Sequence, residues 1–348
     1  MSKVTILDDL LRLGVRESCE SPSLRLTKYL EIGDKTKATE VNAVVTCANK
    51  YVPQHVKETT LFTIPKKNDM DGVIIVATLK SRLIVNQAGG ILENAGLCLH
   101  RHFGYPYISG SAVKGLARHA AWCEWKAEED EDKKLEIAKK IVDVFGYPTG
   151  DKDGLDEFLK PHVKEYAGTV CFMSAEPVGK APLVTDIVTC HHADYYKNGG
   201  VALDNEEPNP QPFPTVESGA KFQFQIVPLR NCLPDTLNWA KQWLVEAITN
   251  HGIGAKIAAG YGWFAYEDLT GVEADPTIMD EILKNHPSAT KMKDFCKNTE
   301  AWQEGAVFRK SLLEVVKTQP YWEKWKKNTN SKEMQNLKRI CDEFGEEL

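Results

Sequence analysis

Two glycine-punctuated segments about 140 residues apart each set a lysine among glycines: Pro106-Tyr-Ile-Ser-Gly-Ser-Ala-Val-Lys-Gly-Leu-Ala-Arg118 and His251-Gly-Ile-Gly-Ala-Lys-Ile-Ala-Ala-Gly-Tyr-Gly262. The chemistry such segments suit is capture of a polyanion. Glycine lets the backbone reach positive φ and approach a ligand closely, so N–H groups can face phosphate oxygens while lysine supplies charge. The candidate binding residues are Gly110, Ser111, Lys114, Gly115 and Arg118 in the first segment, and Gly254, Lys256 and Gly260 in the second.

Two familiar phosphate motifs fail at the residues that define them. Gly110 and Gly115 have the spacing of a G-x-x-x-x-G-K-[ST] loop, but Lys114 precedes the second glycine and Leu116 follows it. A dinucleotide fingerprint needs G-x-G-x-x-G between a strand and a helix. Gly252-Ile-Gly254 has Ile257 at the third position, and Gly260-Tyr-Gly262 runs into the aromatic stretch Trp263-Phe264.

Histidines offer a second chemistry, since imidazole titrates near neutrality. His191, His192 and Asp194 could act as ligands or as general acid and base, but Cys190-His191-His192 are adjacent rather than spaced to converge on one ion. His100 and His102 form an H-x-H pair beside Arg101, expected on one face of a strand. Tyr195 and Tyr196 could stack on bases or pack against a neighbouring subunit. No catalytic residue, metal or cofactor is assigned from these patterns.

The elements that must position these residues follow from periodicity. Ser23 to Tyr29 alternates as an extended segment, and Val73 to Val85 reads as a buried strand. Val113, Leu116, Ala117 and Ala120 have helical spacing, which predicts a helix over Val113 to Trp125 opened by the first glycine segment. Its N-terminus would present unpaired N–H groups, with Lys114 in the first turn and Arg118 one turn on. Leu135 to Phe145 is a second helix, closed at Gly146. Gly168 to Met173 and Lys221 to Val227 are strands, Phe222, Phe224 and Ile226 alternating with Lys221, Gln223 and Gln225. Asp186 to Phe213 reads as a long functional connection. Pro234 to Asn250 is a helix that delivers the second glycine segment into a strand over Tyr261 to Tyr266. From Asp275 the chain is helical, and Trp322 and Trp325 fit the apolar face of a helix better than a nucleic-acid surface.

With 348 residues, 42% hydrophobic and 26% charged, the chain has the composition of a globular protein with an ample core. Its longest strongly apolar run, Val73 to Leu79, is far too short to span a bilayer, and no basic apolar leader opens it, so a cytoplasmic protein with no membrane partner is expected. Nine cysteines without a C-x-x-C pair argue against a disulfide framework or a zinc finger. A net charge of −6 argues against solitary, non-specific RNA binding and fits a subunit that shares RNA with neighbours.

Six segments in order resemble the RAMP superfamily of CRISPR RNA-binding proteins: Tyr107 to Arg118, Gly168 to Phe172, Thr185 to Tyr196, Asn209 to Pro212, Gly219 to Phe224 and Gly252 to Gly262. Within it the chain is most similar to the sixth-subunit family of the Cmr (type III-B) effector complex, over roughly residues 100 to 265. That family commonly has Pro-Gly-Ser-Ser-Leu-Lys-Gly where this chain has Ser109-Gly-Ser-Ala-Val-Lys-Gly115, an Asp-Ala pair at Ser174-Ala175, and Thr at Ile257.

The resemblance implies an α+β fold, with a ferredoxin-like, RRM-related RAMP core carrying helical insertions over residues 1–274; the helical C-terminal extension over 275–348 is read from the sequence pattern and lies beyond what the resemblance covers. The resemblance also implies a non-catalytic cap near the 3′ part of a guide CRISPR RNA, assisting target RNA capture in antiviral defence. The implied partners are guide RNA, target RNA and the other Cmr subunits. RNA contacts would come from Gly110, Ser111, Lys114, Gly115, Arg118, Gly254, Lys256 and Gly260. Arg101, His191, His192, Tyr195 and Tyr196 are further RNA or subunit contacts. The alternative within the superfamily is an endoribonuclease that processes CRISPR transcripts by metal-independent cleavage centred on His100, His102 or His191.

Overall fold

The computed structural model describes residues 18–30, 37–56, 72–150, 154–199, 201, 208–267, 272–298, 305–328 and 331–344. The chain forms two compact units, Met1–Tyr266 and Glu267–Leu348.

Among the described residues, the first element of the first unit is helix α1 (Pro22–Thr27), where an extended segment was expected. The Ser21 hydroxyl accepts from the Leu24 N–H and Pro22 fills the first turn, a start signal that outweighs the apparent alternation of Leu24 and Leu26. Helix α2 (Lys37–Val56) buries Val41, Val44 and Ala48 on one stripe.

Strand β1 (Val73–Leu79) is shorter than expected, because the chain bends at Lys80–Ser81 and Leu83 crosses to bridge Val216. Helices α3 (Gly110–Ala127), α4 (Glu131–Phe145) and α5 (Leu155–Leu159) follow. Gly146, at φ 94°, ends α4 in a conformation that disfavours side chains. Strands β2 (Val170–Phe172) and β3 (Glu176–Val178) precede a two-stranded ladder.

That ladder replaces most of the connection expected over Asp186 to Phe213. Strand β4 (Leu183–Cys190) pairs residue for residue with β5 (Asn209–Val216), and the short helix α6 (Ala193–Asn198) lies between them. Pro210, Pro212 and Pro214 alternate along β5 opposite Thr189, Ile187 and Thr185. Lacking N–H groups, they fit only the non-hydrogen-bonded pairs of such a ladder, which is why a proline-rich stretch can still be a strand. Helix α2 packs on this ladder, and Asn49 donates to and accepts from the Leu183 backbone at 2.8 and 2.9 Å.

Strand β6 (Lys221–Pro228), helix α7 (Pro234–Glu246) and strand β7 (Phe264–Ala265) complete the unit. The main sheet runs β2-β6-β1-β7, antiparallel throughout, with β3 also on β6. Phe222, Phe224 and Ile226 are fully buried on one face with Ile75, Ala77 and Leu79. Phe264 meets Phe222 and Phe224 edge to face at 5.9 and 5.5 Å. Gln223 departs from the expected alternation, being buried as well.

The second unit is helical: α8 (Pro276–Asn285), α9 (Ala289–Lys297), α10 (Ala306–Thr318), α11 (Trp322–Lys326) and α12 (Lys332–Phe344). Its core joins Met292, Leu312, Val316, Leu337 and Ile340 with Trp322 and Trp325, so both indoles face the interior. Among the described residues no helix is long and apolar enough to cross a membrane.

Candidate functional site

The two glycine segments meet at one groove of ≈ 630 Å³ in the first unit. Helix α3 contributes Ala112, Gly115, Leu116 and His119 to one wall, and the second segment contributes Gly252 through Ala255 and Ile257. A third wall, around residues 85–94, adds the amides of Asn86, Gln87 and Asn94. No charged side chain lines the groove among the described residues. An apolar floor edged by amides and an imidazole, with no carboxylate to repel phosphate, suits a nucleobase and its backbone.

Local sequence explains each wall. Ser109 caps α3 by accepting from the Ala112 N–H at 3.4 Å, and its hydroxyl also meets that of Ser111 at 3.1 Å. Beyond α7 the backbone widens into a π-turn over Ala247–His251, closed by the Gly252 N–H donating to the Ala247 carbonyl at 2.9 Å. Gly252, Gly254, Gly260 and Gly262 all have positive φ, and Lys256 joins them at φ 58°. The Ala255 N–H donates to the Ile84 carbonyl at 2.8 Å and the Gly262 N–H to that of Arg82 at 2.8 Å, so the loop is laced to the segment after β1.

The glycines do different work. A Cβ at Gly110 would strike the Phe172 carbonyl of β2, and one at Gly254 the Ile84 carbonyl, so both glycines permit close backbone packing. At Gly260 the need is conformational, φ being 91° with open space around it. Gly115 has neither reason: it sits within α3, exposed, with nothing within 4 Å of its would-be Cβ. Glycine inside a helix costs about 1 kcal/mol relative to alanine. Its bare backbone opens onto the groove.

Of the eight predicted binding residues, Gly115 and Gly254 line the groove, while Gly110, Ser111, Lys114, Arg118, Lys256 and Gly260 are not among its lining residues. Ser111 is exposed, and Lys114 and Arg118 are half-buried on α3. Lys256 is half-buried with its Nζ 5.9 Å from the centre of the Phe213 ring. Nearby, Tyr261 and Arg82 converge on Asp186 of β4 at 2.6 and 2.9 Å, and Arg82 also approaches Glu217 at 3.5 Å.

The remaining candidates are dispersed. His100 lies in a turn rather than a strand, its Nδ1 accepting from the N–H groups of His102 and Phe103 at 3.3 and 3.2 Å. Its ring stacks on Phe103, and burial lowers its pKa. Arg101 and His102 are exposed in that turn. His191 is exposed after β4, His192 precedes α6, and Tyr195 and Tyr196 are exposed on α6 with rings 5.3 Å apart. The side chain of Asp194 lies outside the described residues.

One cluster escaped the sequence reading. His119, Cys123 and His251 bring their ligand atoms within 4.8 Å of one another, the two α3 residues one turn apart and the third from the π-turn. The i, i+4 spacing of His119 and Cys123 was a legible signal; the arrival of His251 was not.

Comparison with known proteins finds a match to the family model described as RAMP superfamily over residues 76–265. The CRISPR system Cmr subunit Cmr6 of Pyrococcus furiosus is 27% identical over 224 residues, covering 53% of this chain and 64% of that relative. The chain thus spans less than two thirds of that relative's length. Among solved structures, a chain of the cryo-EM structure of type III-B Cmr-beta bound to cognate target RNA gives a TM-score of 0.41 at 17% identity, covering 76% of this chain and 97% of that one. The crystal structure of Cmr6 from Pyrococcus furiosus gives 0.33 at 22% identity, with 56% and 98% covered.

Proposed function

Because the chain belongs to the RAMP superfamily, we propose that it is an RNA-binding structural subunit of a type III-B CRISPR effector, holding guide RNA in the groove between its two glycine segments. The observation that carries this reading is the convergence of those segments on one uncharged groove, with Gly115 and Gly254 in its walls. The backbone of an RNA strand would pass along the bare face of α3, with Lys114, Arg118 and Lys256 flanking it as phosphate partners. Contacts of this kind position RNA without reading its sequence and weaken with salt.

A ferredoxin-like core over residues 1–274 is supported by the strand order. Taken along the chain, β1, β2, β6 and β7 lie in the sheet as fourth-first-third-second, with α3 and α4 between the first two strands and α7 between the last two. Residues 275–348 form the helical extension in this reading. Ile187, Val188, Tyr195 and Tyr196, exposed at and beyond the end of β4, offer an apolar surface for a neighbouring subunit. A capping position near the 3′ part of the guide, and help in target capture, are part of this proposal and rest on the resemblance carried by the six ordered segments between Tyr107 and Gly262. The engagement of His100 Nδ1 by two backbone N–H groups favours this reading over histidine-centred cleavage at that residue.

The test is co-expression of the tagged chain with the other effector subunits and a CRISPR array, followed by sequencing of co-purifying RNA. Guide-length RNA with several partner proteins is expected, and Lys114→Ala combined with Lys256→Ala should reduce its recovery without unfolding the chain. A lone, RNA-free protein that cuts repeat RNA would replace the subunit by a nuclease. Unchanged RNA recovery in the double variant would remove the two lysines from the site.

A further inference from the structure

We infer that His119, Cys123 and His251 form a zinc-type metal site at the edge of the groove, joining helix α3 to the start of the second glycine segment. The donor set is two imidazoles and one thiol, the ligands that select a borderline-soft divalent ion over magnesium or calcium. His119 Nε2 and Cys123 Sγ are 3.6 Å apart. Tetrahedral coordination with Zn–N near 2.05 Å and Zn–S near 2.3 Å places such a pair about 3.6 Å apart. All three donor atoms lie within 4.8 Å of one another, so a shift of roughly an ångström at His251 closes the triangle.

The fold brings these residues together by specific means. On α3, a separation of four residues puts His119 and Cys123 one above the other. Ala120 and Ala240 are buried small residues on α3 and α7, which pack together, so the two helices can approach closely. The π-turn at the end of α7 then carries His251 to α3, where its ring meets that of His119 edge to face at 5.3 Å. Single π-turns are rare and occur frequently at functional sites.

Three protein ligands leave one tetrahedral position open. His119 is exposed and lines the groove, whereas Cys123 and His251 are half-buried, which favours an open position on the solvent side next to the groove. A metal there would hold water or an anionic oxygen from whatever occupies the groove. It would also fix the second glycine segment against Gly115 and Leu116, giving the groove a set width. Cys190-His191-His192, adjacent in sequence, do not gather in this way among the described residues.

The site is tested on the full chain without RNA, so its failure is separable from that of the RNA-binding reading. Purified protein is stripped with chelator and titrated with Co²⁺ and then with Zn²⁺ against a chromophoric competitor. The expected result is one equivalent of Co²⁺ with tetrahedral d–d bands and a near-ultraviolet thiolate-to-cobalt band, displaced by Zn²⁺. Cys123→Ser should abolish the thiolate band and Cys171→Ser should leave it. His119→Asn, at an exposed position where folding is not at risk, should weaken Zn²⁺ binding at least about tenfold, as should His251→Asn. A thiolate band that survives Cys123→Ser, or the lack of stoichiometric binding by the wild-type chain, would overturn the assignment.

Discussion

Tyr261 donates its phenolic proton to Asp186 over 2.6 Å, fastening the end of the second glycine segment to strand β4. Arg82 lies 2.9 Å from the same carboxylate oxygen. Burial alone would push the Asp186 carboxyl up, but the hydrogen bonds from Tyr261 and Arg82 outweigh it and hold the group below the usual carboxylate range. Burial and the bond to Asp186 push the Tyr261 phenol up to about 12.

Tyr261→Phe should therefore cost about 1.5 kcal/mol at neutral pH, the low end for a hydrogen bond to a charged group because the pair is partly exposed. The pH dependence has two edges. The raised Tyr261 pKa contributes stability that is complete below about pH 10, the unfolded value, and is lost as pH climbs toward 12. The depressed Asp186 pKa contributes stability that is present above about pH 3.9 and is lost as pH falls through the lower folded value. The thermal midpoint difference between wild type and variant should be flat around neutrality and shrink at both edges. A constant difference from acid to alkali would show that the bond does not carry the effect.

In the second unit, Trp325 is 9% exposed and its ring lies 4.5 Å from that of Tyr321. Trp325→Ala should cost about 3–5 kcal/mol through the cavity it leaves. Hydrogen exchange is the fitting measurement, since a chain of two units need not unfold in one step. Amides of α10 and α12 should exchange faster in the variant. Unchanged protection there would place the indole outside the core.

The features legible in the sequence were those with a local cause. The spacing of Val113, Leu116, Ala117 and Ala120 announces α3, although the helix starts three residues earlier, at Gly110 behind its Ser109 cap; Gly146 announces the end of α4, and the Phe222-Phe224-Ile226 alternation a strand with one buried face. Short range also misled: over six residues, Leu24 and Leu26 satisfy a period of two as well as a helical turn, and the Ser21-Pro22 cap was the better signal. Gly110 has the residue type of an anion loop, yet its lack of a side chain is explained by the Phe172 carbonyl, which arrives from β2, 62 positions along the chain. The meeting of Gly115 with Gly254, and of His119 with His251, depends on how α7 packs on α3. No window of sequence contains that information.

Lys114 and Lys256 are predicted to act through phosphate charge, which fixes the form of their loss. For single-stranded RNA the slope of log affinity against log salt is about −0.7 for each phosphate contact. Lys114→Ala with Lys256→Ala should make that slope shallower by about 1.4, with the loss uniform across RNA sequences. Binding isotherms at several salt concentrations, on two unrelated guide sequences, measure both quantities. A slope equal to that of wild type would mean that neither lysine meets a phosphate.

Gly115 and Gly254 line the same groove but predict opposite links between stability and binding. At Gly115 the helix would accept a methyl group into open space, so Gly115→Ala should leave stability unchanged or raise it by up to about 1 kcal/mol. The same methyl would stand where the RNA backbone is proposed to pass, so affinity should fall. At Gly254 the backbone has φ 102° and a Cβ would collide with the Ile84 carbonyl. Gly254→Ala should cost about 1–3 kcal/mol or more through strain alone, and any loss of RNA binding there would be shared with the fold. Urea denaturation beside RNA titration of the two variants separates the cases. An intact, stabilised Gly115→Ala protein with wild-type RNA affinity would mean that the ligand does not approach α3 at that turn, and the groove would lose its strongest claim to the guide strand.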